Sequence, residues 1–566
     1  MNTPDRQDSR PQTADLTNPL YYLENMETVV NWVDDHHGDL LTTDERRRLA
    51  DFRLLSVSAR ALLTRMIMRT GELFRADKLS YPELPEPEPV ALAELAAGGW
   101  VRTADRVSLD DLFHLFTLAE LRPAFAATLS DLGYARALPK AGMKAALADH
   151  LDDAIRLADW LPAHHDNVVH LPHMPLFDRI RLMFFGNLRQ NWSDFVLVEL
   201  GYQQYEKVSF TPESRAFQHR HEVDCYLVMH QCREQLDEGV PAANLWPQVP
   251  ALTENTWLAS RRDRLLLELG RQAERQGERE LALEVLAQST HREARLKQLR
   301  LLERMKRFDD AWAIARDWHT TELSDAEAQG LARILKRVAR KVEQPVPELP
   351  AEPAPDDFLV TLPHTGVPVE VAVQQHLWHD HQPVFYVENT LINGLFGLLC
   401  WDVVFAPVPG AFFHPFHMGP ADLTREDFVP RRRERLEQCF AHLEDGDYGH
   451  IILANYRRKQ GLANPFVNWL VVNEDLLELA LDCIPASHLE VLFRRLLHNL
   501  KEHRSGFPDL IRFLPDEVDP ARRYEMIEVK GPGDRLQDHQ RRWLAFFHHQ
   551  GIAARVCYVR WLGDGT

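Results

Sequence analysis

Cysteine is scarce in this chain of 566 residues, and none of it falls in a metal-binding or redox arrangement: the six stand at 225, 232, 400, 439, 483 and 557, with no C-x-x-C pair. That scatter argues against a structural zinc and predicts free thiols in a reducing compartment. No run of about 18 uninterrupted apolar residues occurs, so no membrane-spanning helix is expected. The opening Met1-Asn2-Thr3-Pro4-Asp5-Arg6-Gln7-Asp8 lacks the apolar stretch of a secretion signal, which predicts a cytoplasmic protein. Neither a G-x-x-x-x-G-K-[ST] phosphate loop nor a G-x-S-x-G elbow is present, so ATP hydrolysis and serine esterase chemistry have no support. Positive charge is also short: 65 Lys and Arg against 84 Asp and Glu leave a net charge of -19. That balance opposes general phosphate binding, whose affinity comes from counterion release, and leaves the task to local basic patches.

What is present is a sparse acidic pattern near the C-terminus. Pro508-Asp509 opens a strand-like stretch, and a second strand downstream carries Glu528-Val529-Lys530. Alternation in Arg523-Tyr524-Glu525-Met526-Ile527-Glu528-Val529-Lys530 puts Glu528 and Lys530 on one charged face and turns Ile527 and Val529 toward a core. If Asp509 lies on a neighbouring strand, its carboxylate joins Glu528 to make a hard oxygen site of the kind Mg²⁺ or Mn²⁺ prefers. Lys530 then holds a phosphate oxygen or a water. Gly531-Pro532-Gly533-Asp534 ends the strand, and Leu536 to Phe547 reads as an amphipathic helix with Leu536, Gln540, Trp543, Leu544 and Phe547 on one face. Gln540 is polar on that apolar stripe, so it either points at the strand ends or bonds a loop carbonyl. A last strand, Ala553 to Val559, closes the unit.

The segments Gly506-Phe507-Pro508-Asp509-Leu510, Ile527 to Leu536 and Gln540-x-x-Trp543-Leu544 resemble the virus-type replication-repair nuclease domain. Leu55 to Arg65, Phe74-Arg75-x-x-Lys78-Leu79-Ser80-Tyr81-Pro82 and Thr390 to Asp402 are similar to further signatures of one branch, the Fanconi-anaemia-associated nuclease, so the resemblance spans most of the chain. It implies a multidomain protein: a mainly α-helical N-terminal two-thirds followed by a C-terminal α/β nuclease domain of the PD-(D/E)xK, restriction-endonuclease-like class. It also implies a third acidic ligand from a helix upstream, matching Glu388 in Tyr386-Val387-Glu388-Asn389-Thr390, and coordination by the Val529 backbone carbonyl. The implied activity is metal-dependent hydrolysis of branched DNA, with 5′ flap endonuclease and 5′-to-3′ exonuclease action in DNA repair, including repair of interstrand crosslinks. Asp509, Glu528 and Glu388 would hold one or two Mg²⁺ or Mn²⁺ ions, Lys530 would orient water or phosphate, and Gln540 would assist. The two alternatives are a four-way-junction resolving nuclease and a non-catalytic DNA-binding scaffold. Eukaryotic members carry a ubiquitin-binding zinc finger; no such pattern occurs here, which with the plain start suggests a bacterial, nucleoid-associated protein.

Domain organisation reads as an N-terminal helical domain over 1–105, a SAP-like module over 106–154, a helical, tetratricopeptide-like region over 155–342, a Pro-rich linker over 343–362, and a nuclease region over 363–566 with its core at about 447–564. In the SAP-like module Leu121-Arg122-Pro123 leads a first helix, and Lys140 and Lys144 begin a second, where exposed N–H groups and two cations suit a phosphate. In the tetratricopeptide-like region, Glu274-Arg275 precedes Ala282 with the spacing by which Glu303-Arg304 precedes Ala311. Basic runs recur at Arg431-Arg432-Arg433, Arg541-Arg542 and Arg457-Arg458-Lys459; the last is the expected DNA contact within the nuclease region. The histidines at 376, 379 and 381 imitate a zinc cluster but lack a cysteine or a tight motif.

Overall fold

The computed structural model describes residues 18–562 apart from 70, 135–137, 152–153, 165–166, 191, 193–203, 319–322, 324, 346–353 and 365. Chain contacts divide it into Met1–Tyr202 and Gln203–Thr566. Among the described residues no helix is long and apolar enough to cross a membrane.

In the first unit three helices, Tyr21–His37, Thr43–Leu54 and Val57–Ile67, precede a short strand, Leu73–Arg75, inside the stretch expected as a helical domain. That strand and Arg102–Thr103 both pair antiparallel with Val168–His170. Between them lies a compact module of helices Leu109–Leu115, Leu118–Asp131 and Lys140–Ala148, closed by the strand pair Arg106–Ser108 and Ala154–Arg156. Phe113, Phe116, Leu121, Phe125, Met143 and Leu147 fill its core. Leu121-Arg122-Pro123 does not lead its helix: a capping box between Thr117 and Glu120 starts it at Leu118, and Pro123 sits inside.

In the second unit a long helix, Arg220–Asp237, and a short one, Ala242–Leu245, are followed by helical hairpins. Thr256–Arg275 packs on Arg279–Ala287, and Arg292–Arg304 on Phe308–Trp318. The two hairpins repeat in detail. Ala282 and Ala311 are both fully buried, and the turns place Gly277 and Lys306 at φ 86° and 59° with matching backbone bonds, Glu278 N–H to Ala273 and Arg307 N–H to Leu302.

A five-stranded mixed sheet forms the C-terminal part, in the order Asp356–Leu362, Ala554–Trp561, Tyr524–Lys530, Leu510–Phe513, Val384–Tyr386. The first three strands run parallel and the last two pairings are antiparallel. The outermost parallel strand corrects the linker reading: Asp356–Leu362, expected as Pro-rich linker, pairs with Ala554–Trp561 along seven residues, while 346–353 of the same stretch lie outside the described residues. Its pattern, with Val360 and Leu362 buried, supplies a sheet face.

Every residue of the central strand Tyr524–Lys530 is buried. Ile527 and Val529 join Leu510, Val384, Cys557 and Val559 on one face, packed by Val373 of the helix Val369–Leu377. Tyr524 and Met526 enter the larger core on the other face, with Phe396, Phe493, Trp543 and Phe547 from three helices. The face expected to be charged is thus apolar over its first half and charged only where Glu528 and Lys530 reach the strand end. Glu525, on the opposite face, is neutralised by Arg512 and by Arg555 at 3.5 Å.

Candidate active site

Antiparallel pairing aligns Leu510 with Ile527, which leaves Asp509 just before its strand and opposite the charged end of the neighbouring one. Asp509 Oδ2 accepts the Val529 N–H at 2.8 Å. A residue's N–H and C=O point to the same side of an extended strand, so the Val529 carbonyl faces the Asp509 side as well. Lys530 Nζ donates to Glu528 Oε1 at 2.7 Å, and Gln540 Nε2 donates to the same oxygen at 2.6 Å. Asp509, Glu528 and Lys530 are all buried, at 8, 1 and 8% exposure, in a charge cluster with one lysine against two acids.

Burial dominates the electrostatics. It pushes the Asp509 carboxyl up to about 6, with Glu388 adding to the rise and the Val529 N–H opposing it. Glu528 goes up to about 7, first through burial and then through Asp509, with the Lys530 hydrogen bond opposing. Two carboxylates that each resist ionisation are short of positive charge, and their oxygens are hard donors; in donor chemistry the pair fits a divalent cation.

Glu388 lies in the turn between the strand Val384–Tyr386 and the helix Leu391–Leu399, not on a helix as expected. The Val387 N–H donates to the Asp509 carbonyl at 2.9 Å, so Glu388 follows the residue paired with Asp509. Its carboxylate is exposed and engaged by near neighbours: Tyr386 Oη donates to Oε2 at 2.6 Å and Asn389 Nδ2 to Oε1 at 3.2 Å. Among the described residues no three His, Cys, Asp or Glu side chains converge as an ion cage, and the histidines at 376, 379 and 381 form none. Tyr386 was missed in the sequence, although alternation places it on the same side as Glu388, two residues on.

Gln540 follows the first of its two sequence readings, pointing at the strand end, and its other side-chain atom meets a backbone N–H rather than a loop carbonyl. It lies in the first turn of the helix Asp538–Gln550; its amide nitrogen reaches Glu528 while its carbonyl accepts the Gln537 N–H at 2.9 Å, closing the helix start. Leu536 precedes that helix rather than belonging to it.

The five expected DNA-binding cations are less uniform. Lys140 and Lys144 do start the helix Lys140–Ala148, where Lys140 Nζ donates to the Phe116 carbonyl at 2.7 Å and Lys144 pairs with Asp110 at 2.8 Å. Arg457 is exposed and pairs with Glu474, and Arg458 donates to Asn455 at 2.9 Å. Lys459 is drawn inward: its side chain is 15% exposed, bound to Glu206 and 5.5 Å over the Trp401 ring. Arg432, in the basic run Arg431-Arg432-Arg433, is fully buried and forks onto Asp422 at 2.7 and 3.0 Å.

The comparisons with known proteins agree with this architecture. Residues 443–561 match the VRR-NUC domain model, 20–102 the FAN1 HTH domain and 107–160 the Fanconi anemia-associated nuclease SAP domain. The chain is 45% identical to a Fanconi-associated nuclease 1 homolog of Pseudomonas aeruginosa over 97% of either protein. It is 23% identical to a homolog of Arabidopsis thaliana over 95% of this chain and 67% of that one. A crystal structure of paFAN1 bound to 5′ flap DNA superposes with a TM-score of 0.81, covering 97% of this chain and 100% of that one at 45% identity. With this likeness running nearly end to end, the chain belongs to the Fanconi-associated nuclease family, whose VRR-NUC domain is a divalent-metal-dependent nuclease module.

Proposed function

We propose that this protein cleaves branched DNA of the 5′ flap type by metal-dependent phosphodiester hydrolysis, and trims in the 5′-to-3′ direction, as part of DNA repair. The observation that carries the reading is the buried pair of Asp509 and Glu528 at adjacent strand ends, with Lys530 2.7 Å from Glu528. It stands in a chain 45% identical to a nuclease solved with 5′ flap DNA. An intact acidic site with its lysine counts against a non-catalytic scaffold.

Asp509, Glu528, Glu388 and the Val529 carbonyl are the proposed ligands. An Mg²⁺ or Mn²⁺ ion held by these residues would supply an activated water and neutralise charge on the scissile phosphate. Lys530 holds the Glu528 carboxylate in place and offers its remaining protons to a phosphate oxygen or the attacking water. Gln540 fixes the other approach to Glu528 and anchors the start of its helix. Lys140, Lys144, Arg457 and Arg458 are the proposed backbone contacts for the DNA arms; Lys459, bound to Glu206, is set aside. Crosslinked DNA is a substrate in this reading because the cut is placed by branch geometry and phosphates rather than by base edges.

Initial rates on a labelled 5′ flap and on a four-way junction, each with Mn²⁺, Mg²⁺ or EDTA, test the proposal. Faster cutting of the flap near its branch, abolished by EDTA, is expected. Preference for the junction would transfer the reading to a resolving nuclease.

A further inference from the structure

Asn389 stands at φ 51°, one of three non-glycine residues at positive φ among those described. That conformation is costly for most side chains, and asparagine is among the few that tolerate it. Here it turns the chain from the edge strand Val384–Tyr386 into the helix Leu391–Leu399. If a turn were all that was required, glycine would serve as well.

The side chain does more than permit the turn. Asn389 Oδ1 accepts the Phe507 N–H at 3.1 Å, two residues before Asp509. Its Nδ2 donates to Glu388 Oε1 at 3.2 Å. The backbone carbonyl accepts Asn393 Nδ2 at 2.7 Å, and that same amide donates to the Arg504 carbonyl at 2.9 Å. The orientation of the Asn389 amide is fixed by chemistry, since a backbone donor faces its oxygen and a carboxylate acceptor faces its nitrogen. One planar group therefore links the Glu388 carboxylate to the loop that delivers Asp509, two segments far apart in sequence. Tyr386 holds the other Glu388 oxygen at 2.6 Å.

We propose that Asn389 is a positioning residue that sets the spacing of Glu388 from Asp509 and thereby the affinity of the site for a divalent cation. The proposal rests on the reading of Glu388, Asp509 and Glu528 as the ligands. Groups that orient ligands from behind typically govern metal affinity by about 10- to 100-fold.

The test is Mn²⁺ binding to the full chain without DNA, by titration calorimetry, for the wild type and for Asn389→Gly, Glu388→Gln and Asp509→Asn. Glycine accepts the backbone conformation and deletes only the two side-chain links. The Asn389→Gly variant is expected to bind Mn²⁺ about tenfold more weakly or worse. Its thermal unfolding and flap affinity in EDTA stay near wild type, and its cleavage rate recovers at saturating Mn²⁺. Wild-type Mn²⁺ affinity in Asn389→Gly, with loss in Glu388→Gln and Asp509→Asn, would overturn the proposal and leave the ligand reading standing. Undiminished binding in Glu388→Gln and Asp509→Asn would remove the ligand reading and the proposal with it. Parallel loss of melting temperature and DNA binding in Asn389→Gly would mark a purely structural residue and also overturn it.

Discussion

Gln540 donates its side-chain amide to Glu528 Oε1 across 2.6 Å, on the oxygen that also accepts from Lys530 at 2.7 Å. The carboxylate is thus held from two directions, by a helix start and by its own strand, which leaves its second oxygen for a ligand or water. Orientation of this kind fixes a donor before substrate arrives.

Replacing Gln540 with alanine removes both the link to Glu528 and the bond to the Gln537 N–H. Cleavage is expected to fall about tenfold, in line with the loss of one supporting contact. Stability falls by about 1 kcal/mol through the lost helix cap. Single-turnover rates and urea unfolding of the same preparation measure the two effects separately.

Gly506 is a second sensitive point because space and backbone both exclude a side chain. It stands at φ 90°, and a Cβ there would meet His539 Cδ2 at 2.5 Å and Trp543 Cδ1 at 3.1 Å. Gly506→Ala is expected to lose about 1–3 kcal/mol of stability through overpacking, with extra backbone strain. Activity should drop further, since the displaced loop carries Asp509 three residues on. Thermal unfolding alongside flap cleavage checks both.

Acid sensitivity follows from a histidine pair outside the site, His414 buried and His417 half-buried. The His414 and His417 rings lie 4.1 Å apart between centroids, and His414 Nδ1 accepts the Phe416 N–H at 3.1 Å, which keeps that nitrogen unprotonated. Burial lowers His417 from 6.5 to about 4 and holds His414 well below its ordinary value. A base whose folded pKa is depressed takes up its proton first in the unfolded chain, so its stability is complete above pH 6.5 and is lost as the pH falls toward 4. Asp509 and Glu528 act oppositely: their raised folded values favour the folded state as the pH falls through 7 and 6. His417→Gln is therefore expected to flatten the loss of stability between pH 6.5 and 4, by about 3 kcal/mol at the acid end. Denaturant unfolding of both proteins in EDTA across that range gives the difference directly; identical slopes would contradict it.

Much of the site was legible because strand and helix periodicity are local. Glu528 and Lys530 share a face by alternation, and Gln540 falls inward by helical spacing; both placements recur in the structure. Glu388 is a different case. Its position beside Asp509 comes from the antiparallel alignment of Tyr386 with Leu510, a pairing between distant segments that no local pattern encodes. Lys459 misled for the same reason: its partner Glu206 lies 253 residues away, so a basic run looked free. The strand Asp356–Leu362 was hidden by the prolines before it, which read as linker although the next seven residues pair along the whole of Ala554–Trp561 except its first residue. The SAP-like helix start was misjudged at Pro123 because the capping box at Thr117 and Glu120 outweighs a proline already past the first turn.

The central claim is that Asp509 and its neighbours perform the cleavage, and the Asp509→Ala variant tests it most directly. Wild type and variant are incubated with a labelled 5′ flap in Mn²⁺, while binding to the same DNA is measured in EDTA and folding by thermal unfolding. The account predicts cutting near the branch by the wild type, and in the variant no cutting with folding and DNA affinity retained. Cleavage by the variant at the wild-type rate would contradict it.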